Sequence, residues 1–385
     1  MAHNPGHDRP VIYLDHAATS WPKAPGVGEA MARLCSSDLL ANPGRSGYRA
    51  SLDAARLVFG TRCRLARLLG IHDPANLVFT RGATEGLNLV LKGVLREGDH
   101  VAVSPLEHNS VMRPLSRLSR ERGVAVETLP ADDLGRIDLE AARKLRGRYR
   151  LVVVAHGANV NGVVQDLAAL KEALPETPIV ADAAQTAGIL PIDVGEMGIS
   201  ALAFSAHKGL LGPTGLGGCY LADDLDPQPL LEGGTGSRSE ATEQPDFRPD
   251  RYEAGTLNLH GIAGLAAALD HIESNGLLGE TKRRLTTILI EGLSGLPRLR
   301  VLAPTDGSAL LLSFTIEGVP PDRVAVALER DHGILCRAGL QCAPAAHRYL
   351  GTFPQGTVRL SPGYLNTEEE MEAAVRAVHS IASAS

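Results

Sequence analysis

The segment SAHKGLLGPTGLGG, residues 205–218, places a lysine, an imidazole and a hydroxyl at the end of an apolar run. Lys208 follows this run closely, with Ser205 and His207 beside it. A lysine in this position is expected to be partly desolvated, which lowers its pKa and frees the amine to attack a carbonyl carbon. The lysine precedes the glycines, so the pattern is not that of a P-loop. We predict that Lys208 is a Schiff-base nucleophile rather than a solvated surface lysine.

Two further segments have side chains that suit a cofactor with a pyridine ring and a phosphate. In VADAAQT, residues 180–186, Asp182 stands at a strand end and Gln185 three positions later. An aspartate there commonly caps the next helix, but beside a Schiff-base lysine it could keep a pyridine nitrogen protonated and make the ring an electron sink. RGATEGLNL, residues 81–89, turns from a strand into a helix whose free amides and Thr84 hydroxyl could bind phosphate.

Seven short apolar runs alternate with helix-length segments between about residues 50 and 225. They are NLVFT (76–80), HVAVSP (100–105), VAVETLP (124–130), RLVVVAHG (150–157), PIVADAAQ (178–185), ALAFSAHK (201–208) and GGCYLAD (217–223). Runs that are apolar on both faces are typical of a mostly parallel sheet covered by helices, so we predict a doubly wound α/β domain. Ligands bind beyond the carboxyl ends of such strands. Polar residues cluster there: Glu107, His108, His156, Asn159, Asp182, Gln185, Ser205, His207 and Lys208.

The remainder of the chain predicts a functional loop and a smaller α+β domain. Residues 225–256 are too irregular for an ordinary connection. Helical periodicity over 259–296 precedes the strand candidates RVLAP, ALLLSFTIEG, GILCRAG and TVRLSPGY, with helices at 321–331 and after Thr367, where Glu370 completes a capping box. We predict a large cofactor-binding domain at 23–274 and a small domain at 275–385, with residues 1–22 packing near the active site.

Composition excludes several classes of protein. Of 385 residues, 44% are hydrophobic and 21% charged, which excludes a mainly disordered chain. A net charge of −6 and 4% aromatic residues disfavour nucleic acid or an anionic membrane as partners. The N-terminus lacks a signal-peptide pattern and no apolar run could span a membrane, so we expect a soluble, cytoplasmic protein.

The cysteine and histidine positions disfavour disulfides and metals. Five cysteines without a CxxC pair argue against a disulfide framework or a structural zinc site, and leave at least one free thiol. His16, His108, His156 and His207 lack helical ligand spacing, so we expect no metal.

The order of the segments resembles that of the cysteine desulfurases, which are pyridoxal-phosphate enzymes of aminotransferase class V with fold type I. The resemblance covers nearly the whole chain. Its segments are YLDHAATSWPKAP, ANPGRSGYRAS, RGATEGLNL, PLEHNSVMRP, AHGANVNG, ADAAQTAGILPIDV, SAHKGLLGPTG, RYEAGTLN, RAGLQCAP and GTVRLSPGYLNTEEE.

The resemblance implies roles for individual residues. Lys208 would form the Schiff base with pyridoxal phosphate and act as general base or acid, Asp182 would face the pyridine nitrogen, and His108 would stack on the ring. Asn159 and Gln185 would contact the phenolic oxygen or the substrate. The phosphate would be held by Ala83, Thr84, Ser205 and His207, and by Thr256 of the neighbouring subunit. Arg359 would clamp the substrate carboxylate, which suits its guanidinium fork, and Arg337 would be a further substrate contact.

Cys342, in RAGLQCAP, stands where these enzymes keep the sulfur-accepting cysteine. A buried apolar thiol is the alternative, but a loop flanked by Gly339 and Pro344, with Arg337 nearby, favours an accessible one. Cys336 in GILCR is predicted to be core, and Cys35, Cys63 and Cys219 have no comparable context. The cysteine follows RAG closely, which resembles the branch of the family with a short cysteine loop, whereas DHAAT and NPGRSG resemble the other branch.

The implied activity converts L-cysteine to L-alanine and leaves a persulfide on Cys342, in a homodimer that passes sulfur to an acceptor protein. The destination stays open among iron–sulfur clusters, thionucleosides, a thiolated cofactor and a natural product, and iron–sulfur cluster assembly is the one we expect. The alternatives are a selenocysteine lyase, another class V reaction such as β-elimination or transamination, and a non-catalytic accessory subunit that carries pyridoxal phosphate.

Overall fold

The computed structural model describes residues 11–36, 42–43 and 47–384. The strands within these residues are β1 (Ile12–Tyr13), β2 (Leu77–Thr80), β3 (His100–Val103), β4 (Ala125–Thr128), β5 (Leu151–Ala155), β6 (Ile179–Asp182), β7 (Ala201–Ser205), β8 (Gly217–Leu221), β9 (Leu299–Leu302), β10 (Leu312–Ile316), β11 (Ile334–Leu335), β12 (Arg337–Gly339) and β13 (Thr357–Leu360). The helices are α1 (Val27–Ser36), α2 (Arg49–Leu68), α3 (Ala83–Val94), α4 (Asn109–Arg122), α5 (Leu139–Arg143), α6 (Leu167–Ala173), α7 (Leu259–Asn275), α8 (Gly279–Leu293), α9 (Pro321–His332), α10 (Pro344–Tyr349) and α11 (Glu368–Ala384), with a 3-10 turn at Pro74–Asn76.

The main sheet has seven strands in the order β2-β8-β7-β6-β5-β3-β4. Neighbours from β7 to β4 pair in parallel, and β8 is antiparallel to both of its neighbours. Strand β2 therefore runs in the same direction as β7, so six carboxyl ends share one edge. Each of the seven predicted runs forms one of these strands, which confirms the predicted doubly wound α/β fold.

Alternate residues of the central strands enter two separate cores. On β5, Val152 and Val154 join the core formed with α2 and α7, whereas Leu151 and Val153 join the core formed with α3 and α4. This alternation explains why the strands are apolar throughout their length. Strand β4 differs from the prediction, because its four residues are exposed at the edge of the sheet.

The C-terminal part of the chain forms a second sheet of four antiparallel strands in the order β12-β13-β10-β9. Its core includes Phe314 and residues of α8, α9 and α11. Helix α11 begins with the predicted capping box: Glu370 N donates to Thr367 Oγ1 at 3.3 Å, and Thr367 N donates to Glu370 Oε2 at 3.2 Å. The domain boundary at residues 274 and 275 stays a prediction.

The N-terminal segment crosses from one sheet to the other. Strand β1 pairs in parallel with β11, and Asp15 forms a bridge with Ser361. A few residues later, Ser20 N donates to His207 O at 2.8 Å, which ties the segment to the carboxyl edge of the main sheet. Residues 1–10, and residues 44–46 of NPGRSG, lie outside the described residues. None of the described helices is long and apolar enough to cross a membrane.

Candidate active site

A cavity of ≈ 220 Å³ lies at the shared carboxyl edge of the main sheet. Its lining contains every residue predicted for the cofactor site except Thr256. The lining residues are Ala83, Thr84, His108, Ser110, Ala155, Gly157, Asn159, Asp182, Ala184, Gln185, Ser205, His207 and Lys208. The topology thus brings side chains that are far apart in sequence to one site.

Lys208 and Asp182 supply an amine and a carboxylate to this cavity. Burial lowers the pKa of Lys208, and the charge of Arg359 adds to this effect, while Asp182 and Cys342 oppose it. Asp182 is buried at the end of β6, and its Oδ1 accepts a hydrogen bond from Ala184 N at 3.0 Å. A desolvated amine beside a carboxylate is the arrangement that favours a nucleophilic lysine.

His108 caps α4 and is linked to Asp182 through Ser110. Its Nδ1 accepts a hydrogen bond from Ser110 N at 3.0 Å, so the neutral ring carries its proton on Nε2. Ser110 Oγ lies 2.8 Å from His108 Nδ1 and 3.4 Å from Asp182 Oδ2. Burial also lowers the pKa of His108, which favours the neutral ring. The sequence analysis did not identify Ser110. Its only local signal is that it stands two residues after His108.

The N-terminus of α3 forms the opposite end of the cavity. The residue at the N-cap is Gly82, and the first helical amide, Ala83 N, donates instead to Ser205 Oγ at 3.0 Å, while Thr84 is exposed toward the cavity. The first residue of β8 packs closely against the start of α3 because residue 217 is glycine. A Cβ there would lie 2.2 Å from Phe204 O and 2.6 Å from Gly82 Cα. The helix dipole and the Thr84 hydroxyl make this end suitable for an anion, although the amides of Ala83 and Glu85 already have partners in Ser205 Oγ and Gly82 O.

His207 joins the cavity to the N-terminal segment. Its Nδ1 lies 3.1 Å from Thr19 Oγ1, and its carbonyl accepts from Lys23 Nζ at 3.2 Å. Burial, with Lys208 and Lys23 nearby, lowers the pKa of His207 to about 4, so the ring is neutral near pH 7. Gln185 makes a second link, because its Nε2 donates to Ala17 O at 2.9 Å.

Arg359 is buried and held by an aspartate that the sequence did not suggest. Its Nη2 donates to Asp15 Oδ1 at 2.7 Å, and its Nη1 donates to Asn159 O at 2.9 Å. Its Nε has no hydrogen-bond partner within the described part of the chain. Arg337 also contacts Asp15, at 3.2 Å, but its side chain is 50% exposed. Asp15 was missed because its partners lie more than 300 residues away in sequence.

Cys342 is exposed on the short turn between β12 and α10. The turn lies against the cavity, because Asn159 Nδ2 donates to Gln341 O at 2.7 Å and Asn109 N donates to Cys342 O at 2.8 Å. Cys336, by contrast, packs against the core of the second sheet, and burial raises its pKa to about 12. Cys219 is also buried, with its pKa raised to about 12. Of these three thiols, Cys342 alone is exposed beside the cavity.

A family model for aminotransferase class V matches residues 12–374. The chain belongs to this family. It is 35% identical over 379 residues to a probable cysteine desulfurase of Methanothermobacter thermautotrophicus, covering 94% of this chain and 93% of that one. A probable cysteine desulfurase of Pyrococcus abyssi is 34% identical, with 94% and 92% covered. The structure of a cysteine desulfurase from Thermococcus onnurineus superposes with a TM-score of 0.89 at 33% identity, covering 97% of this chain and 95% of that one.

These comparisons confirm the predicted family, the fold type I architecture and the dependence on pyridoxal phosphate; the prediction of a cysteine desulfurase is confirmed at the level of the family. The cavity fits that cofactor: Lys208 supplies the amine for its aldehyde, Asp182 a carboxylate for its ring nitrogen, and the α3 N-terminus with Ser205 a place for its phosphate. The roles of the individual residues stay predictions.

Thr256 lies outside this cavity, on a groove of ≈ 660 Å³ that also includes Phe59 and Leu257. It ends the irregular segment between β8 and α7, as the sequence predicted. The segment is anchored by Glu253, which is paired with buried Arg62 at 2.7 and 2.9 Å and accepts from Phe79 N at 2.6 Å. The exposed Thr256 therefore follows directly after a segment that these contacts of Glu253 hold in place.

The lining of a smaller cavity of ≈ 20 Å³ beside Lys208 includes two titratable residues without a predicted role, His16 and Lys282. Lys282 is buried and donates to Pro362 O. Burial, reinforced by Arg359, lowers the pKa of Lys282 to about 7. Burial and the nearby lysines lower the pKa of His16 to about 3, and its Nδ1 has no hydrogen-bond partner among the described residues.

Proposed function

We propose that this protein is a cysteine desulfurase that converts L-cysteine to L-alanine and captures the sulfur as a persulfide on Cys342. The observation that carries the proposal is an exposed thiol on a turn that is hydrogen-bonded to Asn159, which lines the same cavity as Lys208. A class V enzyme that only eliminates or transaminates has no need of a thiol at this place. Overall, L-cysteine and the Cys342 thiol become L-alanine and a Cys342 persulfide, without an external oxidant or reductant.

Pyridoxal phosphate, when bound, supplies an electron-withdrawing ring that stabilises negative charge at the substrate Cα. The neutral Lys208 amine takes the Cα proton, since its lowered pKa leaves it unprotonated more readily than a solvated lysine. Arg359 and Asn159 orient the substrate at the side of the cavity nearest Cys342. The Cys342 thiolate attacks the substrate sulfur; the new S–S bond forms as the Cβ–S bond breaks, and its electron pair passes to the carbon skeleton, which gains protons to become alanine.

Three features support the wider context of this function. The exposure of Cys342 lets an acceptor protein reach the persulfide, and iron–sulfur cluster assembly is the use we propose for that sulfur. All five cysteines are free thiols, which suits the reducing cytoplasm. Thr256 stands beside exposed Phe59, away from the cavity of its own chain, which supports a homodimer in which it reaches the partner's phosphate site.

The test is to incubate the pure holoprotein with L-cysteine and measure alanine and protein-bound persulfide by mass spectrometry. We expect Cys342→Ala to keep the visible absorbance of bound cofactor while alanine formation falls by orders of magnitude, because no other thiol is in place. Lys208→Ala should abolish turnover and the Schiff-base absorbance. Cys336→Ala is the matched control and should behave as wild type.

Two results would contradict the proposal. Unaltered alanine production by Cys342→Ala would favour β-elimination or a selenocysteine lyase. Cofactor absorbance without any alanine from the wild-type protein would favour the accessory subunit.

A further inference from the structure

The turn that carries Cys342 has an unusual backbone. Gln341 and Cys342 are consecutive residues with φ of 41° and 57°, in the left-handed region that non-glycine residues seldom occupy. Such a conformation persists only where surrounding contacts hold it in place, and it is concentrated at functional sites. The contacts that hold this turn are therefore candidates for a role in the reaction.

The Gln341 side chain anchors the turn to the second sheet. It is buried, and its Nε2 donates to Thr357 O, in the first residue of β13, at 3.0 Å. Its Oε1 lies 2.6 Å from His347 Nε2. Because the amide nitrogen already faces a carbonyl, Oε1 must be the acceptor and His347 Nε2 must carry a proton.

His347, in α10, completes this anchor. It is fully buried, and its Nδ1 lies 2.7 Å from Thr352 Oγ1. With the proton on Nε2, Nδ1 of the neutral ring accepts a hydrogen bond from the Thr352 hydroxyl, so both ring nitrogens have a partner. Burial lowers the pKa of His347 to about 4, so this neutral form is the one present near pH 7.

The backbone carbonyls of the turn are held from the opposite side, by the cavity. Asn159 Nδ2 donates to Gln341 O at 2.7 Å, and Asn109 N donates to Cys342 O at 2.8 Å. Asn159 lines the cavity, and Asn109 follows His108. The turn is thus fixed between the second sheet and the cofactor cavity.

We propose that Gln341 and His347 are positioning residues that lock the left-handed turn and so hold the Cys342 thiol at the entrance of the cavity. They act on the step in which sulfur moves to Cys342, and not on the binding of cofactor or substrate. This inference rests on the proposed desulfurase function and adds to it the residues that fix the position of the Cys342 thiol.

The first experiment is hydrogen–deuterium exchange of the segment 338–349 in the holoprotein, which does not depend on turnover. Gln341→Met keeps the volume of the side chain but removes its three hydrogen bonds, including one that Oε1 accepts from Thr357 Oγ1 at 3.4 Å, so we expect faster exchange in this segment. Thr352→Val removes only the hydroxyl partner of His347 and should give a smaller increase. Exposed Arg348 offers the matched control in α10, and Arg348→Gln should exchange as wild type.

The second experiment compares the kinetics of alanine formation. We expect Gln341→Met to lower kcat by about 10- to 100-fold, the range expected for a displaced reacting group, with KM for L-cysteine and cofactor absorbance unchanged. In Gln341→Glu, the introduced carboxyl can donate to Thr357 O and accept from His347 Nε2 at the same time only when it is protonated. The ratio of its kcat to that of the wild type should therefore rise as the pH falls.

The outcomes separate the two proposals. Unchanged exchange in Gln341→Met refutes the anchoring, and faster exchange with unchanged kcat refutes the positioning role. A ratio for Gln341→Glu that does not vary with pH also contradicts it. A wild-type protein that makes no alanine refutes the proposed function itself, while the exchange data still test the anchor.

Discussion

At the scale of single residues, Arg359 is the group we expect to bind the substrate carboxylate. Its guanidinium is already oriented by Asp15 and the carbonyl of Asn159, and its Nε is left without a partner among the described residues. A buried, oriented guanidinium can bind a carboxylate through two parallel hydrogen bonds, whereas an ammonium group cannot.

Arg359→Lys keeps the charge beside Asp15 but loses this geometry. We expect KM for L-cysteine to rise about 10- to 100-fold, because one charge-assisted hydrogen bond to the substrate carboxylate is lost. The change in kcat should be smaller. Steady-state kinetics of alanine formation would measure both. Arg376→Lys, at an exposed arginine of α11 without a predicted role, is the control and should have little effect. Equal effects at the two positions would remove Arg359 from its predicted role.

The sequence identified the residues of the site that follow directly from local pattern. Lys208, Asp182 and His108 each stand just after an apolar run, and a parallel sheet brings such strand ends together. It did not identify Asp15, Ser110 or His347, because their importance depends on a partner. A carboxylate that orients an arginine 344 positions away has no local signature.

At the scale of secondary-structure elements, buried strands were predictable and exposed or irregular segments were less so. Runs that must be apolar on both faces can be recognised without knowledge of the fold, whereas the edge position of β4 depends on strand order. The composition of the segment before α7 predicts a functional loop, which stays a prediction. Its anchor, the buried ion pair of Glu253 with Arg62, could not be inferred from spacing.

Because Thr256 ends this segment, the segment provides a test of the predicted homodimer. If Thr256 serves the partner's phosphate, a mixture of Lys208→Ala chains with Thr256→Ala chains should form mixed dimers with one intact site. Thr256→Ala alone should bind cofactor about 10- to 100-fold more weakly, since it loses a hydrogen bond to a charged group. Visible absorbance at limiting cofactor would measure the recovery after mixing. No recovery, or a fully active monomer in analytical ultracentrifugation, would contradict the shared site.

At the scale of the whole molecule, Lys282 links stability to pH. Burial lowers its pKa from the ordinary 10.5 to about 7. Between these values the unfolded chain binds a proton that the folded protein does not, so the free energy of unfolding rises with pH across this window. Each pKa unit corresponds to about 1.4 kcal/mol, so the destabilisation at and below pH 7 is on the order of several kcal/mol.

Lys282→Met should therefore stabilise the protein most at about pH 6, with the gain shrinking toward about pH 10. Urea unfolding of the holoprotein over this range would measure it. Lys144→Met, at an exposed lysine, is the matched control and should change the free energy of unfolding by less than about 0.5 kcal/mol at any pH. A pH-independent difference for Lys282→Met would show that this amine does not titrate as described.

The bridge of Asp15 to Arg359 and Ser361 sets a condition on biosynthesis. Asp15 leaves the ribosome 344 positions ahead of its partner Arg359, which at about 5–20 residues per second is a delay of roughly 17–69 s. Until then the N-terminal segment has no β11 to pair with, and no buried arginine for its carboxylate. A stalled or truncated nascent chain can form the main sheet yet lacks both Cys342 and Arg359. The substrate clamp and the sulfur-accepting thiol thus become available only after the strands of the second sheet have been synthesised.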